Sequence, residues 1–144
     1  MSEYLFVYGT LRADCESPMS HILNRYCALM GTASMQGELY DLGSYPGMIT
    51  TTDKARRVVG QCFELLDPPQ ALSEFDDYEE CSPSFPEPRL YERQLKTCQM
   101  ENGPTLQAWV YIYNRSLAGK RFIESGDYLQ YLKENGVRVD NLPL

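Results

Sequence analysis

Apolar and polar positions alternate most cleanly from Thr105 to Tyr113, where Leu106, Ala108, Val110 and Ile112 share one face and Trp109, Tyr111 and Tyr113 the other. A period of two predicts a strand. Its aromatic face suits a second core or a pocket wall, and burial is the commoner role of large aromatics. Tyr91 to Cys98 also alternates, Tyr91, Arg93 and Leu95 against Glu92, Gln94 and Lys96, as a half-exposed strand would. Val58 to Leu66 predicts another strand, with Val59, Phe63 and Leu65 on one face and Gly60, Cys62 and Glu64 on the other. Gly60 within it signals a bulge or a close backbone approach. Upstream, strands are expected at Tyr4 to Tyr8, Gln36 to Asp41 and Met48 to Thr51, the last two joined by the loop Leu42-Gly43-Ser44-Tyr45-Pro46-Gly47.

Helical spacing occupies three stretches. Ile22, Leu23, Tyr26, Cys27 and Met30 predict a helix over Met19 to Met30, with Ser17 and Pro18 at its start and Gly31 at its end. Asp67-Pro68-Pro69-Gln70 opens a second, Asp67 as N-cap, Pro68 at the first helical position and Gln70 completing a capping box. Ala71, Leu72, Phe75 and Tyr78 form its buried stripe, and Glu79, four residues beyond Phe75, falls at the stripe's edge. Ser125-Gly126-Asp127 opens a third, closed by Asn135-Gly136. Strands with a few short helices and no regular βαβ alternation predict an α+β fold with a mixed or antiparallel sheet, which can curl into a small β-barrel.

Composition narrows the chemistry. With 144 residues and 43% hydrophobic content, the whole chain, 1–144, is expected to form one domain. A net charge of −7 with no basic stripe argues against nucleic acid as partner. No apolar run reaches the roughly 20 residues of a membrane span, and the N-terminus opens Ser2-Glu3 rather than on a basic, then apolar, leader. A cytoplasmic location follows as the expectation. Cys15, Cys27, Cys62, Cys81 and Cys98 are odd in number and never spaced Cys-x-x-Cys, which fits neither a disulfide framework nor a zinc site. His21 is the single histidine. Carboxylates, tyrosines and backbone amides are therefore the tools on offer.

Two positions stand out. The strand ending at Tyr8 meets Gly9-Thr10, and a small-residue turn there can aim successive backbone N–H groups at a carboxylate or an oxyanion. Glu79, at the edge of an apolar stripe, is expected to have its pKa raised by desolvation, as suits a general acid/base. A competing pair, Cys81 as nucleophile with His21 as base, lacks any neighbour that marks an activated thiol.

These parts resemble the γ-glutamylcyclotransferase-like family, which includes the AIG2-like and YtfP-like groups. Phe6-Val7-Tyr8-Gly9-Thr10-Leu11 is similar to its Tyr-Gly-(Ser/Thr)-Leu signature, and Gly37-Glu38-Leu39-Tyr40-Asp41 with Tyr45-Pro46-Gly47 to its next strand and loop. Phe75-Asp76-Asp77-Tyr78-Glu79 is similar to its Leu-Asp-x-(Tyr/Phe)-Glu element. Tyr91-Glu92-Arg93, Ala108 to Tyr113 and Ser125 to Tyr128 follow in the family's order. The resemblance implies a small mixed-strand β-barrel with a few flanking helices and a substrate-binding set of Tyr8, Gly9, Thr10, Leu11, Tyr45 and Tyr113. It implies Glu79 as the catalytic acid/base, a small γ-glutamyl amine as substrate, 5-oxoproline as product and no cofactor or metal. A monomer or weak dimer is expected. This chain departs from the pattern at Glu80, where the family usually has Gly, and in a longer, proline-rich gap before Tyr91. A non-catalytic ligand-binding module on the same fold is the alternative.

Overall fold

The computed structural model describes residues 2–8, 25–42, 46–78 and 91–135, with 76–78 described by backbone alone. Among the described residues ten elements follow one another: β1 (Glu3–Val7), β2 (Cys27–Gln36), β3 (Glu38–Asp41), β4 (Pro46–Ile49), β5 (Arg57–Leu65), α1 (Pro68–Tyr78), β6 (Tyr91–Met100), β7 (Thr105–Tyr113), β8 (Arg121–Ile123) and α2 (Tyr128–Glu134).

Five strands close a mixed barrel in the order β1-β5-β2-β6-β7, and a parallel contact of β1 with β7, Leu5 opposite Trp109, completes the ring. The other four junctions are antiparallel. β4 extends the sheet by lying parallel to β7, and β3 and β8 follow as antiparallel strands. The fold is the expected α+β barrel with short flanking helices.

Two apolar layers share this wall. All five barrel strands send one face inward, through Phe6, Tyr8, Val58, Cys62, Ala33, Met35, Cys98, Met100, Ala108, Val110 and Ile112. That interior continues into Leu39, Met48 and Ile123 and the Tyr128 and Leu132 side chains of α2. The opposite face carries Leu5, Val7, Cys27, Phe63, Leu65, Tyr91 and Tyr111, covered by Ala71, Leu72 and Phe75 of α1. The aromatic face of β7 thus belongs to a second core.

The two-layer arrangement corrects three expectations. β5 buries both faces, Val58, Gly60 and Cys62 inward and Phe63 and Leu65 beneath α1, so no single apolar face exists. Cys27 to Met30 is strand rather than helix, because it pairs with β5 from Cys27 opposite Leu65 onward. Pairing outweighs the helical spacing there, and a bulge between Leu29 and Gly31, with Gly31 at φ 138°, shifts the parity of β2. Cys27 therefore faces the outer layer while Ala33 and Met35 face inward. β6 is the half-exposed strand expected, with Tyr91, Cys98 and Met100 buried and Leu95 51% exposed. The strand from Gln36 to Asp41 is interrupted at Gly37, whose N–H donates to the Arg56 carbonyl at 3.1 Å.

Local signals set the helices. Ala71 N–H bonds the Asp67 carbonyl at 2.9 Å, so α1 starts where Asp67-Pro68 places it. The Gln70 side chain reaches forward to Glu74 at 3.1 Å. Asp127 caps α2 by accepting from the Gln130 N–H at 3.3 Å. Gly126 before it has φ 67°, and a Cβ there would stand 1.9 Å from the Arg57 carbonyl oxygen, so only glycine fits. Gly60 lies in close approach rather than a bulge, a Cβ on it falling 2.2 Å from the Val7 carbonyl oxygen.

Candidate functional site

Gly9, Thr10, Leu11, Tyr45 and Glu79 lie outside the described residues, as do Glu80, Cys81 and His21. Tyr8 and Tyr113 are described, together with the strand and helix ends from which the other positions leave.

Those ends converge. Val7, the last residue of β1, and Phe75, one turn before the end of α1, sit in one apolar cluster with Tyr91 at the start of β6 and Tyr111 near the end of β7. Leu42 and Tyr113 pack against it. The chain thus leaves toward Gly9, Tyr45 and Glu79 from a common neighbourhood. Two features of the sequence produce this: the parallel β1–β7 contact aligns the C-terminal ends of those strands, and the apolar stripe of α1 docks on their outer face.

Tyr8 is 6% exposed, and its hydroxyl works on backbone. It donates to the Tyr111 carbonyl and accepts from the Met48 N–H at 3.3 Å. One phenol therefore ties the exit of β1 to β7 and β4, junctions for which the ladder supplies single residue pairs, Leu5 with Trp109 and Met48 with Ile112. Tyr91 acts similarly. Its hydroxyl donates to the Pro46 carbonyl at 2.5 Å, and its ring meets Tyr113 edge-on at 5.9 Å. Tyr113 is half-buried, with its hydroxyl 3.4 Å from the Ser116 carbonyl and its Cβ against Gly47, where any side chain would collide at 2.9 Å. The structural roles of Tyr91 and of the Tyr111 carbonyl were not visible in the pattern, because hydroxyl-to-backbone bonds between distant strands leave no spacing signal.

Cys27, Cys62 and Cys98 are free and buried. Burial pushes the Cys27 thiol up to about 12. A hydrogen bond with Cys98 holds the Cys62 thiol above its ordinary range, so it too is poorly suited to nucleophilic attack. Among the described residues no group of three His, Cys, Asp or Glu side chains could hold a metal ion. A cleft of about 320 Å³ opens elsewhere, between β3, β8 and the turn before β5. The Arg56 guanidinium beside it is held by Glu38 at 2.8 Å and Asp53 at 3.4 Å and lies over Phe122. Among the described residues no helix is long and apolar enough to cross a membrane.

Residues 5–130 match the family described as gamma-glutamyl cyclotransferase, AIG2-like. The chain belongs to this family. It is 34% identical over 114 residues to the gamma-L-glutamyl-butirosin B gamma-glutamyl cyclotransferase of Niallia circulans, a match covering 77% of this chain and 67% of that protein. The solution structure of YtfP from Escherichia coli superposes with a TM-score of 0.62 at 31% identity, covering 89% of this chain and 97% of that one. An AIG2-like protein from Mus musculus shares the fold with a TM-score of 0.70 at 23% identity, covering 99% of this chain and 98% of that one.

Proposed function

We propose that this protein is a γ-glutamylcyclotransferase that releases an amine from a small γ-glutamyl amide and forms 5-oxoproline. The observation that carries the proposal is the 34% identity to a relative whose name states that reaction. The convergence of the ends of β1 and α1 supports it, since Gly9 and Glu79 follow directly from them.

In this reading the substrate's own α-amine attacks its γ-carbonyl. A carbon–nitrogen bond forms to close the five-membered ring, and the bond from the γ-carbon to the departing amine breaks. Glu79 takes a proton from the α-ammonium and returns one to the leaving nitrogen, so a single carboxylate serves both transfers. Backbone amides around Gly9, Thr10 and Leu11 hold the substrate's glutamyl half and the developing oxyanion, with Tyr45 and Tyr113 beside them. Tyr8 holds the exit of β1 so that those amides keep their aim. The proline-rich 80–89 segment meets the departing amine and sets its identity. No cofactor or metal is required, and the buried free thiols suit a reducing cytoplasm.

The test is incubation of purified protein with γ-glutamyl amino acids, γ-glutamyl-ε-lysine, glutathione and the γ-L-glutamyl-butirosin B named for the relative, with 5-oxoproline read by mass spectrometry. Glu79→Gln is expected to lower turnover by about 10² or more, and Glu80→Gln far less. Full turnover in Glu79→Gln removes Glu79 from the chemistry. Binding without product in the wild-type protein favours the non-catalytic ligand-binding module.

A further inference from the structure

We infer that Tyr91 is a positioning residue: it fixes the ring of Tyr113 and the Pro46 end of the β3–β4 hairpin, and through them the grip on the γ-glutamyl half of the substrate. The inference rests on the cyclotransferase reading, in which Tyr45 and Tyr113 lie beside that half. Position supplies the first reason. Tyr91 opens β6 directly opposite Tyr113 on β7, and the two rings meet edge-on at 5.9 Å. Its hydroxyl reaches one strand further, past β7 to β4, and donates to the Pro46 carbonyl at 2.5 Å. Pro46 follows Tyr45 in the chain. One buried side chain therefore touches one of these tyrosines and the backbone next to the other.

The hairpin's own chemistry makes such a tie necessary, which is the second reason. The ladder joins β4 to β7 through a single residue pair, Met48 with Ile112, two residues beyond Pro46. Proline has no backbone N–H, so Pro46 can offer a neighbouring strand only its carbonyl. That carbonyl is the atom the Tyr91 phenol takes.

Tyr113 depends on the same contacts. β7 lies between β6 and β4 in the sheet, so Tyr113 has the Tyr91 ring on one side and Gly47 on the other. A Cβ on Gly47 would stand 2.9 Å from the Tyr113 Cβ and 3.0 Å from its Cγ. The Tyr113 hydroxyl, by contrast, is exposed and lies 3.4 Å from the Ser116 carbonyl, long for an O–H···O bond. Packing holds the ring, and the hydroxyl can exchange that weak bond for a ligand. The γ-glutamyl group carries a carboxylate that such a donor can meet.

Steady-state kinetics on a set of γ-glutamyl amino acids, read as 5-oxoproline, is the test. Tyr91→Phe keeps the buried ring and removes the hydroxyl. It should raise KM about three- to tenfold, by the same factor whichever amine departs, and change kcat much less, as loss of one hydrogen bond behind a binding surface would. Tyr113→Phe should raise KM too. With the Tyr113 hydroxyl gone Tyr91 has less to hold in place, so the double variant should fall well short of the product of the single effects. Gly47→Ala presses on Tyr113 from the other side and should raise KM as well, which keeps the question answerable even where Tyr91→Phe does not fold. Urea unfolding checks that each variant is folded at the assay temperature. Wild-type KM in folded Tyr91→Phe or Gly47→Ala overturns the inference and leaves the cyclotransferase reading standing. So do single effects that simply multiply, which mark general loosening. A wild-type protein that forms no 5-oxoproline from any of these substrates removes that reading and this inference with it.

Discussion

The barrel interior and the layer beneath α1 are built from different residues and play different parts. Inside, sulfur and aliphatic side chains dominate: Met35, Met48, Met100, Cys62, Cys98, Val58 and Val110. Beneath α1 lie Phe63, Phe75, Tyr91 and Tyr111, with Tyr26, Trp109 and Tyr113 at the margin. Flexible thioethers fill an irregular closed space, whereas rigid rings with polar tips fix angles between elements and bond to backbone. The interior therefore sets the barrel's shape and, through the Tyr8 hydroxyl, the exit of β1, whereas the aromatic layer sets where α1 points. Trp109 shows how a ring fixes its neighbours, since its indole N–H donates to Glu3 at 3.1 Å and the Arg93 guanidinium lies 4.5 Å over its ring.

The widest separation between the layers should come from truncating one large side chain in each. Phe75 is fully buried under the wall, and Phe75→Ala is expected to cost about 3–5 kcal/mol in urea unfolding. Turnover should fall with it, since α1 would tilt and carry Glu79 away. Met35→Ala, in the interior, should cost about 2–5 kcal/mol yet leave the turnover of the folded fraction near wild type. Equal losses of turnover in both would mean that the layers do not divide the labour.

Gly60 tests the seam between them. A Cβ on it would meet the Val7 carbonyl oxygen at 2.2 Å, a backbone atom that cannot swing aside. Gly60→Ala should therefore push β1 off β5 and cost about 2–3 kcal/mol by chemical denaturation. Unchanged stability would show that β1 has room to move.

The same two layers explain how much of the fold is legible in the sequence. β7 is legible because it buries both faces, each with a regular period of two, and α1 and α2 because Asp67-Pro68 and Asp127 are strong starts. Cys27 to Met30 reads as helix because its bulge breaks the alternation that marks a strand. β5 is half legible, since a strand serving two cores at different points along its length has no single apolar face. For the site, motif order singles out Tyr8 and Tyr113, but the Tyr8 hydroxyl's bonds to β7 and β4 cannot be inferred from spacing. Long-range hydroxyl-to-backbone bonds are decided by the fold.

Tyr8→Phe makes that last point measurable. The ring stays, and what goes is the donor to Tyr111 O and the acceptor for the buried Met48 N–H. An unsatisfied buried amide and a lost hydrogen bond together should cost about 1–2 kcal/mol. If Tyr8 holds the exit of β1 for the amides beyond it, KM for γ-glutamyl substrates should rise while the circular dichroism spectrum stays constant. A loss of stability with KM unmoved would make Tyr8 a plain core residue.

The last effect is a slope with pH rather than a fixed loss. Cys27 lies in the aromatic layer with its thiol raised from 9.0 to about 12 by burial. The folded protein holds that proton more tightly than the unfolded chain, so the thiol's contribution is complete below pH 9.0 and declines as pH rises toward about 12. The decline cannot exceed about 1.4 kcal/mol per pH unit, the limit for one proton. Other groups titrate in the same window, which makes a difference measurement necessary. Cys27→Ala removes the thiol and leaves a small cavity, whose cost does not depend on pH. Urea unfolding of both proteins should therefore give a constant gap below pH 9.0 that narrows above it, as the wild-type protein alone loses the thiol's share. Parallel profiles across the whole range would mean that the aromatic layer opens readily enough for Cys27 to titrate like an exposed thiol.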